Sequence, residues 1–353
     1  MEKLQRSVYI VLFTVLVFGA LYIASSFLIP LSLAAIFSML FIRLSNFFER
    51  KGISRGLAAL LCMVIFIGVV AIIVGLLYWQ MGSLTENIDQ MKSRLQSIIE
   101  NIRTWINEKV GINKNEQKEI VKGQGAQTGA MIAGFAINAM SIGVSTVLVL
   151  VYMYLCLYCR SHIKNFILKL TPRSGEETAS KIVHESGQVA QKYLSGLGAM
   201  IAVLWVMYGI GFSIVGIESA IFFAVLCGVL EIIPFVGNLT GTVVTILSVI
   251  AQGGDSKMII GVLVVYALVQ LIQTYLLEPL IVGEQVNINP LFTIMAIVLG
   301  ELVWGVAGMI LAIPLLGIVK IICDRIPPLQ PFGFLIGPIK EPLKRKNLFK
   351  KSR

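Results

Sequence analysis

One strongly apolar run, from Ala220 to Ala251, is interrupted in its middle by Glu231-Ile232-Ile233-Pro234-Phe235-Val236-Gly237. No other feature limits the fold as tightly. The run is too long for one ordinary membrane span, and each half, about 13 residues, is too short to cross alone. An acid, a proline and a glycine at the break oppose a continuous helix. A second run, Leu291 to Ile322, is broken at Gly300-Glu301 and again at Gly305, Gly308 and Pro314. Paired broken segments in a hydrophobic chain point to a transport site.

A soluble core cannot absorb this chain. It is 57% hydrophobic and 14% charged over 353 residues, against roughly 25% charged in soluble domains. The bilayer must therefore act as part of its solvent. The net charge of +10 would suggest nucleic acid in a soluble protein. Here its distribution fits the positive-inside rule instead. Of 29 basic residues, 20 fall in the N-terminus, residues 43–55, residues 160–195 and the tail after Cys323. Those segments, and so both termini, are expected in the cytoplasm.

The spans follow from this charge map. Val8 to Ile29 is long enough to cross and reads as a retained span, not a cleaved signal peptide. Pro30 starts a second helix that runs toward Phe48, with Arg43 snorkelling. Leu57 to Tyr78 crosses outward, with Tyr78 and Trp79 at the interface. Together 1–79 form three N-terminal membrane helices. Residues 80–130 then form an extracytoplasmic amphipathic segment. Leu84, Ile88, Met91, Leu95, Ile98, Ile102, Trp105 and Ile106 make one apolar helical stripe. Its partner is another helix of this chain, another subunit or the outer membrane surface.

Residues 131–159 hold the fourth span, and 160–196 a cytoplasmic basic amphipathic loop suited to lying on the membrane. Its two histidines, His162 and His184, read as surface residues. Residues 197–323 form a C-terminal membrane core containing both broken segments, 220–251 and 291–322, and 324–353 a basic cytoplasmic tail. Parity allows either two complete hairpins or two re-entrant ones, and short half-segments favour re-entrant. The expected fold is an all-α polytopic membrane protein of about eight membrane segments, with two re-entrant helical hairpins and an outer amphipathic helix.

The chemistry concentrates in the core. Residues 197–323 carry six acids, Glu218, Glu231, Asp255, Glu278, Glu284 and Glu301, against Lys257 and Lys320. Glu231 and Glu301 each sit beside a break, where an isolated carboxylate is costly. Each is expected to be paired, protonated, beside a wet cavity or nearer the surface than hydropathy implies. Pro234 and Gly237 free backbone groups that need protein or water partners. Asn238 and Thr240 add neutral hydrogen-bonding groups. Gln270, Gln273 and Thr274 line one face just before Glu278-Pro279, facing either a cavity or another helix. The substrate- or ion-binding candidates are therefore Glu231, Pro234, Gly237, Asn238, Gln270, Gln273, Glu278, Pro279 and Glu301. Gly283, Pro290, Gly300, Gly305, Gly308 and Pro314 are hinge or packing candidates.

No nucleotide-binding phosphate loop, zinc-protease or serine-hydrolase motif is present. Cys156 and Cys159 form a single C-x-x-C on an apolar helix and, like Cys62, Cys227 and Cys323, read as small apolar side chains. No catalytic centre, metal or cofactor is expected.

At these residues the chain resembles the autoinducer-2 exporter family of PerM-like permeases. Ile233-Pro234-Phe235-Val236-Gly237 is similar to the family's proline–aromatic–x–glycine break. Glu278-Pro279 through Gly283 to Asn289-Pro290 is similar to its proline, glycine and second-proline loop. Gly300, Gly305-Val306-Ala307-Gly308 and Ala312-Ile313-Pro314 are similar to its glycine-rich last segment. Glu301 departs from the family pattern of a small residue, and Asn238 stands where a second proline is common. The resemblance implies a bacterial inner-membrane homo-oligomer, with a pentamer as one form. It implies export of a small polar metabolite or signal such as autoinducer-2, with an elevator-like movement proposed for some members. Sodium (cation)/proton antiport is one alternative function, and a non-transporting oligomeric scaffold or regulator is another. The expected partners are the lipid bilayer, further copies of the chain and a small polar solute or a proton or cation, with no nucleic acid.

Overall fold

A computed structural model describes residues 2–85, 128–172, 175–234, 236–282 and 288–338. Most of the expected outer helix (80–130), Phe235, Gly283, Glu284 and residues 339–353 of the tail lie outside the described residues. So do the surroundings of the Pro279 side chain.

The described chain is all-helical, and it contains no strand. The helices are α1 (Glu2–Ile23), α2 (Ser25–Arg50), α3 (Arg55–Thr85), α4 (Thr128–Lys169) and α5 (Glu176–Val215). Then come α6 (Ala220–Leu230), α7 (Val236–Gln252), α8 (Ser256–Ile272), a π-helical segment (Gln273–Val282), α9 (Pro290–Arg325) and the short α10 (Gln330–Ile336). Among the described residues, six stretches are long and apolar enough to cross a membrane: Ser25–Arg50, Arg55–Trp79, Gly143–Lys169, Glu176–Val215, Ser256–Glu278 and Pro290–Arg325.

Three boundaries differ from the sequence expectation. The first helical break falls at Ala24, not at Pro30, which lies buried inside α2. A proline clashes with the turn before it, so the chain gives way upstream. The Ala24 carbonyl accepts from the Phe27 and Leu28 amides at 3.1 and 2.9 Å. The apolar stretch Val8–Ile23 is consequently only about 24 Å long. Residues 160–196 are not a separate amphipathic loop, because α4 continues to Lys169 and α5 begins at Glu176. Charged residues extend a helix readily once it has left the hydrocarbon, since no helix breaker intervenes before Pro172. Finally, Glu278-Pro279 belongs to the π-helical segment, so the chain stays helical to Val282.

Two packed regions result. In the first, α2, α3 and α4 meet around Ala34, Ala59, Cys62, Met153 and Leu157. The small residues let the backbones approach closely. Phe37 and Phe66 add a ring contact at 4.9 Å. In the second, α5 wraps against α6, α7 and α8 through Leu204, Tyr208, Phe212, Phe223, Val262 and Val269. A small cluster of Ile36, Ala190 and Leu311 joins the regions. Gln191 Nε2 donates to the Leu40 carbonyl at 3.3 Å, and Trp304 Nε1 to the Leu21 carbonyl at 3.0 Å.

Both interrupted segments turn sharply. Helices α6 and α7, of 11 and 17 residues, are about 16 and 26 Å long, short of a hydrocarbon core of about 30 Å. They lie back to back, with Gly241 against Cys227 and Gly237 against the Leu230 carbonyl. A methyl group at Gly237 would overlap that carbonyl. In α9, Gly305 has φ 59° and ψ −142°, a conformation that glycine alone adopts readily. The backbones of Gly300 and Gly308 are in contact. In a continuous helix they would be about 12 Å apart, so the chain bends back on itself at Gly305. Asn289 caps the segment by accepting from the Leu291 amide at 3.0 Å, with Pro290 in the first turn.

Candidate functional site

The break between α6 and α7 delivers Glu231 and Asn238 to the same place by different means. Glu231 follows the last turn of α6, where its amide bonds to the Cys227 carbonyl at 3.1 Å. The turn through Pro234 closes with the Gly237 amide on the Ile233 carbonyl at 3.0 Å. Asn238 then enters the first turn of α7 and is buried. Across from them, α8 supplies Gln270, and the start of the π-helical segment supplies Gln273. The π geometry changes the angular spacing of successive side chains.

These four side chains form two hydrogen-bonded sets. Gln273 Nε2 donates to Glu231 Oε1 at 2.6 Å. The Tyr208 hydroxyl donates to Asn238 Oδ1 at 3.0 Å, and Asn238 Nδ2 donates to Gln270 Oε1. Gln270 Nε2 continues the chain to Thr274 Oγ1 at 3.2 Å. The second set therefore links α5, α7, α8 and the π-helical segment through neutral groups.

The first set is incomplete. Glu231 Oε2 and Gln273 Oε1 are buried and lack a hydrogen-bond partner among the described residues. A buried acceptor without a donor costs about 1–3 kcal/mol, and more when charged. Glu231 also makes no ion pair with a described cation; the described salt bridges lie elsewhere.

The other candidates separate from this cluster. Glu278 and Glu301 are exposed, and neither makes a hydrogen bond or ion pair with a described residue. Thr240 bonds back to the Val236 carbonyl at 2.7 Å on an exposed face. Gly300, Gly305 and Gly308 shape the α9 bend, and Pro314 is buried within α9. Among the described residues no three His, Cys, Asp or Glu side chains converge on one point.

Tyr208 is the residue that sequence reading misses. It lies in an apolar stretch of α5, where it reads as core. The available signal is its hydroxyl: a buried tyrosine needs a polar partner for its O–H, and Asn238 and Gln270 are the amides to seek.

A multi-span helical chain with two interrupted segments, one of them carrying buried polar side chains, has the architecture of a membrane transport protein. The sequence relationships agree. The family profile described as AI-2E family transporter matches residues 11–327, so the chain belongs to the AI-2E transporter family. It is 26% identical over 306 residues to "Putative transport protein YrrI" of Bacillus subtilis, covering 83% of this chain and 84% of that one. It is 25% identical over 320 residues to "Putative permease PerM" of Escherichia coli, covering 88% and 90%. It is 23% identical over 302 residues to "Putative transport protein MT0215" of Mycobacterium tuberculosis, covering 81% and 79%.

Proposed function

We propose that this membrane transporter is a secondary transporter that exports a small polar metabolite or signal across the bacterial inner membrane. The observation that carries the reading is the pairing of Glu231 with Gln273 and of Asn238 with Gln270, two buried or half-buried polar sets at the α6–α7 break. Four separate elements contribute polar side chains there at the expense of apolar packing. Membrane proteins accept that cost chiefly where a polar cargo or ion is handled. Pro234 and Gly237 shape the break, and Glu278 and Pro279 follow Gln273 along the π-helical segment.

In this reading 197–323 is the transport core. Its two interrupted segments are re-entrant hairpins that bring the count to about eight membrane segments. Gly283, Pro290, Gly300, Gly305, Gly308 and Pro314 set their hinges and packing. The core slides in an elevator-like movement against helices α2 to α4. Ile36, Ala190 and Leu311 lie on the boundary between the two. Residues 80–130 lie outside the membrane and join subunits of a homo-oligomer, while both termini lie in the cytoplasm.

The test is flux of autoinducer-2 and a panel of small polar metabolites in proteoliposomes, with and without a proton gradient. The reading expects one solute to move, and its flux to fall at least tenfold in Asn238→Leu. Loss of subunit assembly with intact flux after deletion of 84–110 would assign that helix to scaffolding alone. If no solute moves under either condition, export of a small polar solute is ruled out. Cation/proton antiport is a second reading. It is favoured by the uncompensated carboxylate of Glu231, and it expects sodium-dependent proton flux without any organic solute.

A further inference from the structure

Glu231 and Gln273 form a half-made pair. One edge is complete, with Gln273 Nε2 donating to Glu231 Oε1 at 2.6 Å. The two atoms left over, Glu231 Oε2 and Gln273 Oε1, are both oxygen acceptors, both buried and both without a partner among the described residues. Gln273 is 1% exposed. Its oxygen therefore has little access to a donor from outside the cluster.

Among the described residues, no positive charge pairs with Glu231 to offset its ionised form. The titratable groups that act on it are Tyr208 from α5, Cys227 from α6 and Glu278 from the π-helical segment. Helices α7 and α8 contribute the neutral Asn238 and Gln270. The lysines of 197–323 are Lys257, at the start of α8, and Lys320, which pairs with Asp324 at 2.5 Å. A buried carboxylate is ordinarily retained only with a cation, several strong donors or a proton. Here one amide donor is present.

One proton resolves both deficits. A carboxylic acid and a primary amide are complementary along two edges, with N–H to the acid oxygen on one and O–H to the amide oxygen on the other. The first edge exists, and the second joins the two stranded atoms. We infer that Glu231 is a neutral carboxylic acid in this conformation, donating from Oε2 to Gln273 Oε1. The Glu231–Gln273 pair is thereby the proton-carrying site of the transport core. The balance is simple. A solvent hydronium gives one proton to Oε2: one of its O–H bonds breaks, one O–H bond forms on the carboxyl, water is left, and the carboxylate charge is cancelled. Release reverses this when water reaches the pair and hydrates the carboxylate. Gln273 is a positioning residue, and it is the first residue of the π-helical segment. A change of that segment to α-helix would rotate it and uncouple the pair. Dehydrated metal cations are held by larger sets of oxygen ligands than the two spare atoms here.

The inference rests on the transport reading for its consequence, not for its evidence. Infrared difference spectroscopy of the full-length protein in lipid tests it without any solute. A protonated-carboxyl C=O band is expected at neutral pH. It should vanish in Glu231→Gln, persist in Glu301→Gln and move to higher frequency in Gln273→Leu, which removes the acceptor of the O–H. If Glu231→Gln does not fold, the Gln273→Leu shift decides alone. A spectrum without a Glu231-dependent protonated band at neutral pH overturns the proposal. So does a band replaced by carboxylate signals when sodium is added at constant pH, which would assign the pair to sodium. Either result leaves solute export standing, whereas absent flux with the band intact removes export and keeps the proton site.

Discussion

Two glutamates divide this molecule. Glu49, in the α2–α4 region, is surrounded by donors. Arg160 Nη2 reaches its two oxygens at 2.8 and 2.7 Å, and Ser45 donates at 3.3 Å. Arg160 also donates to Ser45 at 2.9 Å, and Arg55 stands 3.8 Å away. Glu231, in the α5–α9 region, has one amide and no described cation. The same side chain is a structural bolt in one region and an unfinished site in the other. The difference is charge compensation. A compensated carboxylate resists change, while an uncompensated one can gain or lose a proton with little rearrangement.

The largest effect should come from disturbing the geometry that creates the contrast. Gly237→Val places a side chain into the Leu230 carbonyl. It should abolish recovery of folded protein, read as loss of the monodisperse peak in size-exclusion chromatography. The bolt comes next. Arg160→Ala removes the closest donor to Glu49, whose side chain is 23% exposed, and leaves it Ser45 and the more distant Arg55. Partial solvation reduces the cost below that of a fully buried pair, to about 2 kcal/mol. Thermal unfolding in one detergent would report it as a clear fall in midpoint.

The sharpest form of the comparison is the same substitution at both sites. Glu49→Gln should lower the unfolding midpoint, because it leaves Arg160 without its counter-charge. Glu231→Gln should leave it within error or raise it, because an amide reproduces the neutral form. Equal losses at both sites would erase the distinction drawn here. A smaller effect is expected for Tyr208→Phe, which removes one hydrogen bond to Asn238 and should cost about 1 kcal/mol. Its flux should fall while its fold persists. Glu301→Gln should change neither stability nor flux measurably, since Glu301 is exposed and without a described partner.

Much of the site is legible in the sequence because polar residues in apolar runs are conspicuous. Glu231, Asn238, Gln270 and Gln273 each stand out on hydropathy alone, and each joins the cluster. Glu278 and Glu301 stand out equally and do not. Hydropathy records that a residue is polar, not which way its helix turns. Tyr208 is invisible for the opposite reason, because its ring hides its hydroxyl in an apolar stretch. The Pro30 boundary is misplaced because a proline acts on the turn before it, and the π-helical segment carries no signal that composition reveals.

The sequence by itself determined that this chain is a helical membrane protein with two interrupted segments in an acid-rich half. Those properties follow from transfer free energy and backbone chemistry, which act locally. Only the tertiary structure decided that Glu231 meets Gln273 across 42 residues, that Tyr208 closes on Asn238, and that Gly300 touches Gly308. Those contacts depend on the rotation and packing of whole helices, where side-chain fit between distant segments sets the geometry.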